Sequence, residues 1–252
     1  MVNTISERLS EIHNRITQAA QRVNRDASEI RMVGVSKMHS PDLIREAYAA
    51  GLTDFGESRV QEAEPKIDAL REEHSDIVWH LIGALQTNKA KRAVRLFDMV
   101  HSLDRLSLAH ALNRHLAEAI EPEQTQAIPP HLDVLLQVNV SGEASKYGFP
   151  LFGWEDNQEL VQQFFGEVEQ MISLPHLVIR GLMTIAPWAD DPETARPTFQ
   201  STRQLRDVLA QQFPTQDWSE LSMGMTDDFP IAIEEGATLV RVGRALFGER
   251  PV

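Results

Sequence analysis

No cysteine occurs among the 252 residues, which excludes disulfides, iron–sulfur clusters and thiol nucleophiles and leaves a cytoplasmic location as the default. No stretch approaches the roughly 18 consecutive apolar residues that a membrane helix requires. The opening segment "MVNTISERLSEIHNRITQAAQRV" lacks the basic start and apolar run of a signal peptide. Basic residues are also short: 24 Lys and Arg face 37 Asp and Glu, for a formal net charge of −13. Such a chain repels nucleic acid and anionic membranes, so neither is expected as a partner, and any anionic ligand needs a local cationic site. The nine histidines form no HxxxH pair and no HExxH, so nothing beside the carboxylates suggests zinc. GxxxxGK[ST] and GxSxG are missing too. No fixed-period repeat and no long Gly, Ser or Pro tract divides the chain.

What is present is the composition of an ordinary globular protein, 42% apolar and 24% charged. Short apolar, β-branched segments near 32–36, 53–55, 78–83, 99–103, 133–140, 178–185, 220–223 and 239–243 read as eight strands. Helical patterns fill the gaps. Ile5, Leu9, Ile12, Ile16 and Val23 recur at helical spacing, with Thr4 and Glu7 placed for a capping box. Ser40 can cap a helix that opens on Pro41 and ends at Gly51. Further helices are predicted over 87–96, 105–120, 155–172 and about 198–212, and one capped by Thr226 or Asp227 that stops at Gly236. The segments 121–131 and 186–198 read as surface loops. Alternating strands and helices with right-handed crossovers predict a (β/α)8 TIM barrel, a single domain over residues 1–252 with one extra N-terminal helix. An open doubly wound sheet is the alternative; it wants a Gly-rich turn after its first strand, where "VSKMHSP" has none.

In a barrel, chemistry belongs at the C-terminal ends of the strands. Those ends carry Lys37, Ser58, His80, Asn139, Met183, Ser222 with Gly224, and Arg241 with Gly243 and Arg244. The loops after strands seven and eight are where this fold builds phosphate sites. "SMGMTDD" supplies a hydroxyl, a glycine and a helix start, and "RVGRALFG" a second glycine and a short helix. They read together as a phosphate cup, or separately as two tight turns. Alternation in "TLVRVG" puts Leu239, Arg241 and Gly243 on one face. Turned inward, Arg241 needs an internal acid or a ligand atom as acceptor. Lys37 either reaches water or, partly desolvated near Arg241, serves as an amine nucleophile toward an aldehyde. An aldehyde that also bears a phosphate, such as pyridoxal 5′-phosphate (PLP), would join all three features. Lys146 and the basic "NKAKR" at 88–92 read as solvated surface, although Lys146 could also guide an anionic cofactor.

The blocks "VGVSK", "DFGESRVQEA", "WHLIGALQTNKAK", "HSLDRLSLA", "LLQVNVSGEASKYGF", "IRGLMTIAP" and "LSMGMTDDFPIAIEEGATLVRVGRALFG" run in order from about Met32 to Arg250. In these blocks the chain resembles the YggS/PROSC family of pyridoxal phosphate homeostasis proteins. The resemblance implies a single barrel like the N-terminal domain of bacterial alanine racemases, carrying PLP as a lysine aldimine. Lys37 is then the aldimine lysine, Ser222 and the backbone around Gly224, Gly243 and Arg244 hold the phosphate, and Arg241 meets the pyridine nitrogen. His80 and Met183 match positions near the ring or the barrel interior, and Asn139 joins the cofactor-binding set. Ser58 departs from the family's asparagine, a shorter reach toward the cofactor.

Two functions remain open on this basis: a carrier that maintains PLP, and a racemase-like enzyme. An alanine-type racemase needs a tyrosine from a separate domain, whereas this sequence stops four residues after "FG" and holds only Tyr48 and Tyr147. The expectation is therefore a monomeric PLP carrier without evident catalysis, serving PLP-dependent apo-enzymes. A barrel enzyme acting on a sugar phosphate through Lys37 would use the same cup without PLP.

Overall fold

The computed structural model describes residues 4–120 and 131–249; the predicted loop 121–131 lies almost wholly outside them. Eight strands form the barrel: β1 (Arg31–Val35), β2 (Asp54–Glu57), β3 (Val78–Leu81), β4 (Met99–Leu103), β5 (Leu132–Asn139), β6 (Leu177–Met183), β7 (Glu220–Ser222) and β8 (Leu239–Val242). Each pairs in parallel with the next, and β8 returns to β1 with Arg31 opposite Leu239, so the ring closes. Closure leaves none of these eight strands with a free edge. A two-residue strand, Phe149–Pro150, adds to the end of β5.

The extra N-terminal helix is α1 (Ile5–Arg22). Its capping box forms as predicted: Glu7 N–H donates to Thr4 Oγ1 at 3.2 Å and Thr4 N–H to Glu7 Oε2 at 2.7 Å. The apolar stripe of α1 is buried, and arginines in and just after it reach the last two helices, α8 (Phe229–Glu234) and α9 (Arg244–Phe247), and the turn after α8. Arg8 donates to Leu246 O at 3.0 Å, and Arg25 to Ile233 O and Ala237 O, both at 2.9 Å. Between them lie α2 (Pro41–Ala49), α3 (Val60–Leu70), α4 (Ala90–Leu96), α5 (Leu106–Ile120), α6 (Gln158–Ile172) and α7 (Arg196–Gln212).

Helix α3 was not anticipated, because Pro65 sits in its interior, where a proline removes one backbone bond. The pattern predicted over 87–96 splits into a 3-10 turn at Thr87–Lys89 followed by α4. Helix α6 starts later than expected, with Asn157 accepting from Leu160 N–H at 3.1 Å. The N-cap of α8 is Asp228, not Thr226 or Asp227; its Oδ1 holds Met225 N–H at 2.6 Å one turn ahead of the helix.

The main core lies between strands and helices. Inside the barrel Val33, Met99, Leu135, Met183 and Leu239 form a separate apolar cluster, and beside it runs a column of polar side chains.

Candidate functional site

At the C-terminal ends of β1, β7 and β8 a cleft of about 330 Å³ opens. Lys37, Ser58, Thr226, Asp227, Arg241, Gly243 and Arg244 supply its polar lining, and Val35, Ile82, Ile185, Trp188 and Met225 its apolar walls. Arg244 pairs with Asp227 across the rim. A methyl group at Gly243 would lie 3.4 Å from Val35 of the neighbouring strand β1, an ordinary contact.

Lys37 follows β1, and the residues on both sides of it are tied to one ion cluster. Lys66 of α3 donates from Nζ to Ser36 O and to Glu57 Oε1, both at 2.9 Å, and to Glu62 Oε1 at 3.1 Å. Ser36 Oγ donates to Glu57 at 2.7 Å, and Met38 N–H donates to Glu62. Glu57 is fully buried; its Oε2 has no hydrogen-bond partner, and burial pushes its carboxyl up despite the Lys66 charge. Met38 itself sits at φ +65° with an exposed side chain, a left-handed conformation that a non-glycine residue holds only when its surroundings impose it.

Arg241 lies at the floor of the cleft. Of the two acceptors expected, an internal acid or a ligand atom, the protein supplies no acid in hydrogen-bond contact among the described residues; the acceptors of Arg241 are neutral, with Nη1 donating to Ser222 Oγ at 2.6 Å and Nη2 to Thr184 O at 2.8 Å. Full burial pushes its pKa down to about 10, which leaves it charged at neutral pH. From Ser222 the polar column descends the barrel. Ser222 Oγ meets His101 Nδ1 at 2.8 Å, His101 Nε2 meets His80 Nδ1 at 2.9 Å, and His80 Nε2 meets Asp54 Oδ1 at 3.0 Å. With each imidazole neutral and protonated on Nε2, every link has one donor and one acceptor, all pointing from Arg241 toward Asp54. Burial, aided by nearby positive charge, holds His101 well below the ordinary histidine value. Burial alone would raise Asp54, but the His80 contact, Thr53 and Arg31 outweigh it and keep its carboxyl low. Arg31 closes the column, 3.5 Å from Asp54 and 2.6 Å from Glu220.

The structure thus brings Lys37, Ser58, Arg241, Gly243 and Arg244 to one cleft. The other candidates are not among the residues that line it, although Ser222 and Gly224 both hydrogen-bond Arg241 at its floor. Ser222 is buried beneath Arg241 with its hydroxyl engaged on both sides. Gly224 carries φ +89°, and a Cβ there would fall 2.6 Å from Ala232 of α8, so it serves the turn behind the cleft. His80 is enclosed in the column and Met183 in the apolar cluster. Asn139 organises the loop after β5, donating to Glu143 O at 3.0 Å and accepting from Gly142 N–H at 3.2 Å. Sequence reasoning missed His101 and Asp54, although period-two alternation in "MVHSL" already places His101 on the inward face with Met99. It also missed Glu57 and Lys66, whose pairing across a loop and a helix has no local signal.

A cation-floored cleft at the C-terminal mouth of a closed parallel barrel, behind an added N-terminal helix, defines a protein of the alanine racemase N-terminal domain type. The family model described as "Alanine racemase, N-terminal domain" matches residues 8–251. Within that class, the chain belongs to the pyridoxal phosphate homeostasis proteins. It is 41% identical to the one from Aquifex aeolicus, 97% of each chain being covered. Against the one from Pseudomonas aeruginosa it is 40% identical, with 99% of this chain and 97% of the other covered. Among solved structures, PipY of Synechococcus elongatus with PLP bound superposes with a TM-score of 0.79 at 36% identity, over 97% of this chain and 100% of that one. An alanine racemase from Clostridium difficile shares the fold at TM-score 0.65 and 13% identity, over 95% of this chain and 60% of that one.

Proposed function

We propose that this protein binds pyridoxal 5′-phosphate at the mouth cleft and maintains the PLP supply without catalysing a reaction on it. The observation that carries the reading is the donor set: a primary amine (Lys37) and two guanidinium groups (Arg241, Arg244) on an apolar-walled cleft large enough for a small ligand. The solved relative with PLP bound, and the homeostasis names of the other relatives, support it.

PLP supplies an aldehyde that condenses with primary amines and a ring that withdraws electrons. Lys37 provides the amine that holds it. Arg244 and the turn at Gly243 offer charge and backbone donors to a phosphate, as expected of loops after the last two strands. Arg241 offers a permanent donor to a ring nitrogen and so keeps a proton off it. Ser222 acts through Arg241, fixing its guanidinium from below. Val35, Ile82 and Ile185 shield the ring.

A carrier fits better than a racemase because the lining offers few bases. Asp227 is engaged by Arg244, and Tyr48 lies away from the cleft, donating to Asp76 at 2.7 Å. We further infer a single domain, a monomer, a cytoplasmic location, and delivery to PLP-dependent apo-enzymes. No described helix is long and apolar enough to cross a membrane.

The test is spectroscopic. Wild-type protein incubated with PLP and dialysed is expected to stay yellow, and borohydride reduction followed by peptide mapping to place the label on Lys37. Lys37→Ala is expected to fold normally, since Lys37 is not part of the core, and to come off the column colourless. A Lys37→Ala protein that retains the colour overturns the reading.

A further inference from the structure

The cleft described above is lined mainly by the loops after β1, β6, β7 and β8, with Ser58, Ile82 and Gly83 from the loops after β2 and β3. The loops after β2, β3, β4 and β5 build a second cleft of about 640 Å³ that shares Ser58 with it. This second cleft is charged opposite to the molecule as a whole. Arg59, Lys89 and Arg105 line it against a single acid, Asp104, a local sum of +2 on a chain whose formal charge is −13.

The three cations are not equivalent. Arg105 is fixed: it pairs with Asp104 and donates to Leu85 O and Thr87 Oγ1, both at 3.0 Å. That pair is neutral overall, so the surplus charge of the lining belongs to Lys89 and to Arg59, whose charge also acts on Glu62 of α3. Lys89 makes no ion pair among the described residues, although the 3-10 turn it closes keeps it half-buried at the wall. A lining with two more cations than acids suits an anion, and a phosphate monoester near neutral pH carries about two negative charges. On the remaining side stands Tyr147, 64% exposed, which joins the lining. An aromatic side chain beside a cationic pocket suits a planar ring that bears the phosphate.

We propose that this cleft is a second, non-covalent site for a phosphorylated pyridine of the vitamin B6 class, adjoining the first through Ser58. The ligand class rests on the function proposed above; the cleft, its charge and its ring do not. Such a site would hold an incoming or departing phosphate beside the amine that captures it, in a molecule whose net charge otherwise repels that ligand.

Pyridoxine 5′-phosphate is the probe, because an alcohol replaces its aldehyde and no bond to Lys37 can form. Equilibrium dialysis of the full-length chain is expected to find two equivalents bound to wild type. The double variant Arg59→Ala/Lys89→Ala is expected to keep one equivalent and to weaken the other by about a hundredfold or more, as two charged hydrogen bonds are lost. Arg244→Ala is expected to spare the equivalent that Arg59→Ala/Lys89→Ala removes. One equivalent in wild type, lost with Arg244→Ala, overturns the second site and leaves the first standing. No equivalent at all likewise overturns the second site, while the first, held by a bond to Lys37 that this probe cannot form, is judged by the borohydride test. Inorganic phosphate is expected to compete at least about tenfold more weakly than the probe, since it lacks the ring; equal competition overturns the assignment of a ring-bearing ligand.

Discussion

Lys66 and Glu57 form a buried pair in which the whole cluster depends on each charge being matched. Removing one partner leaves the other charged in a dry site, at a cost of about 3–5 kcal/mol, whereas replacing both is far milder. Lys66→Met is therefore expected to lower the urea-unfolding free energy by that amount, and Glu57→Gln/Lys66→Met by clearly less. A single variant as stable as the double would contradict the burial argument. His101 makes a pH prediction. Its folded pKa lies below its unfolded one, so as pH falls below about 6.5 the unfolded chain takes a proton that the folded chain refuses. Stability then falls with acidification, at up to about 1.4 kcal/mol per pH unit from this one residue. The raised Glu57 carboxyl acts in the opposite sense at lower pH, because the folded state binds that proton first. Comparing wild type with His101→Gln isolates the histidine contribution: the variant is expected to show a shallower stability loss between pH 6.5 and 5.5.

At the scale of the elements, the barrel was legible because most strands are short apolar runs bounded by turn signals, and the eight predicted segments coincide with the observed strands to within two residues or so. Helix α3 was hidden by Pro65 and the start of α8 by a turn that Asp228 builds outside the helix. Lys37, Arg241, Gly243 and Arg244 were legible from their positions at strand ends. The column under Arg241 was not, since it joins residues 21 to 121 positions apart in sequence and no local pattern records such contacts. Two backbone features carry predictions of their own. Gly181 has φ +151° at a register shift between β5 and β6, and a Cβ there would fall 1.8 Å from Glu220 O. Gly181→Ala is expected to separate β6 from β7 and to cost about 3 kcal/mol or more, measured by thermal or urea unfolding. Met38→Gly removes a left-handed strain from an exposed residue and is expected to stabilise the fold by up to about 1 kcal/mol.

Over the whole molecule, α1 ties the first residues to the last helices. Arg25, three residues past α1, donates to Ile233 O in the last turn of α8 and to Ala237 O just beyond it, a charge-assisted arrangement at the negative pole of a helix. Arg15 stacks its guanidinium 4.4 Å from the centre of the Phe229 ring. Helices α8 and α9 stand directly behind the Thr226–Asp227 and Gly243–Arg244 walls of the mouth, so α1 braces the cleft from outside. Arg25→Ala is expected to cost about 1–3 kcal/mol, and Ile12→Ala, which empties a fully enclosed position, about 2–5 kcal/mol. Both are read by urea unfolding, and a change within error at Ile12 would contradict the packing.

The imidazole column gives the barrel a built-in gauge. Because His80 and His101 are enclosed and joined by hydrogen bonds to the guanidinium at the floor of the mouth, any occupant that pulls on Arg241 alters the polarisation of two ring systems far from bulk solvent. Their ring-nitrogen resonances, assigned by nuclear magnetic resonance, can therefore follow arrival and departure at the mouth without a chromophore or a label, and would stay silent for a molecule lodged only in the Tyr147 cleft.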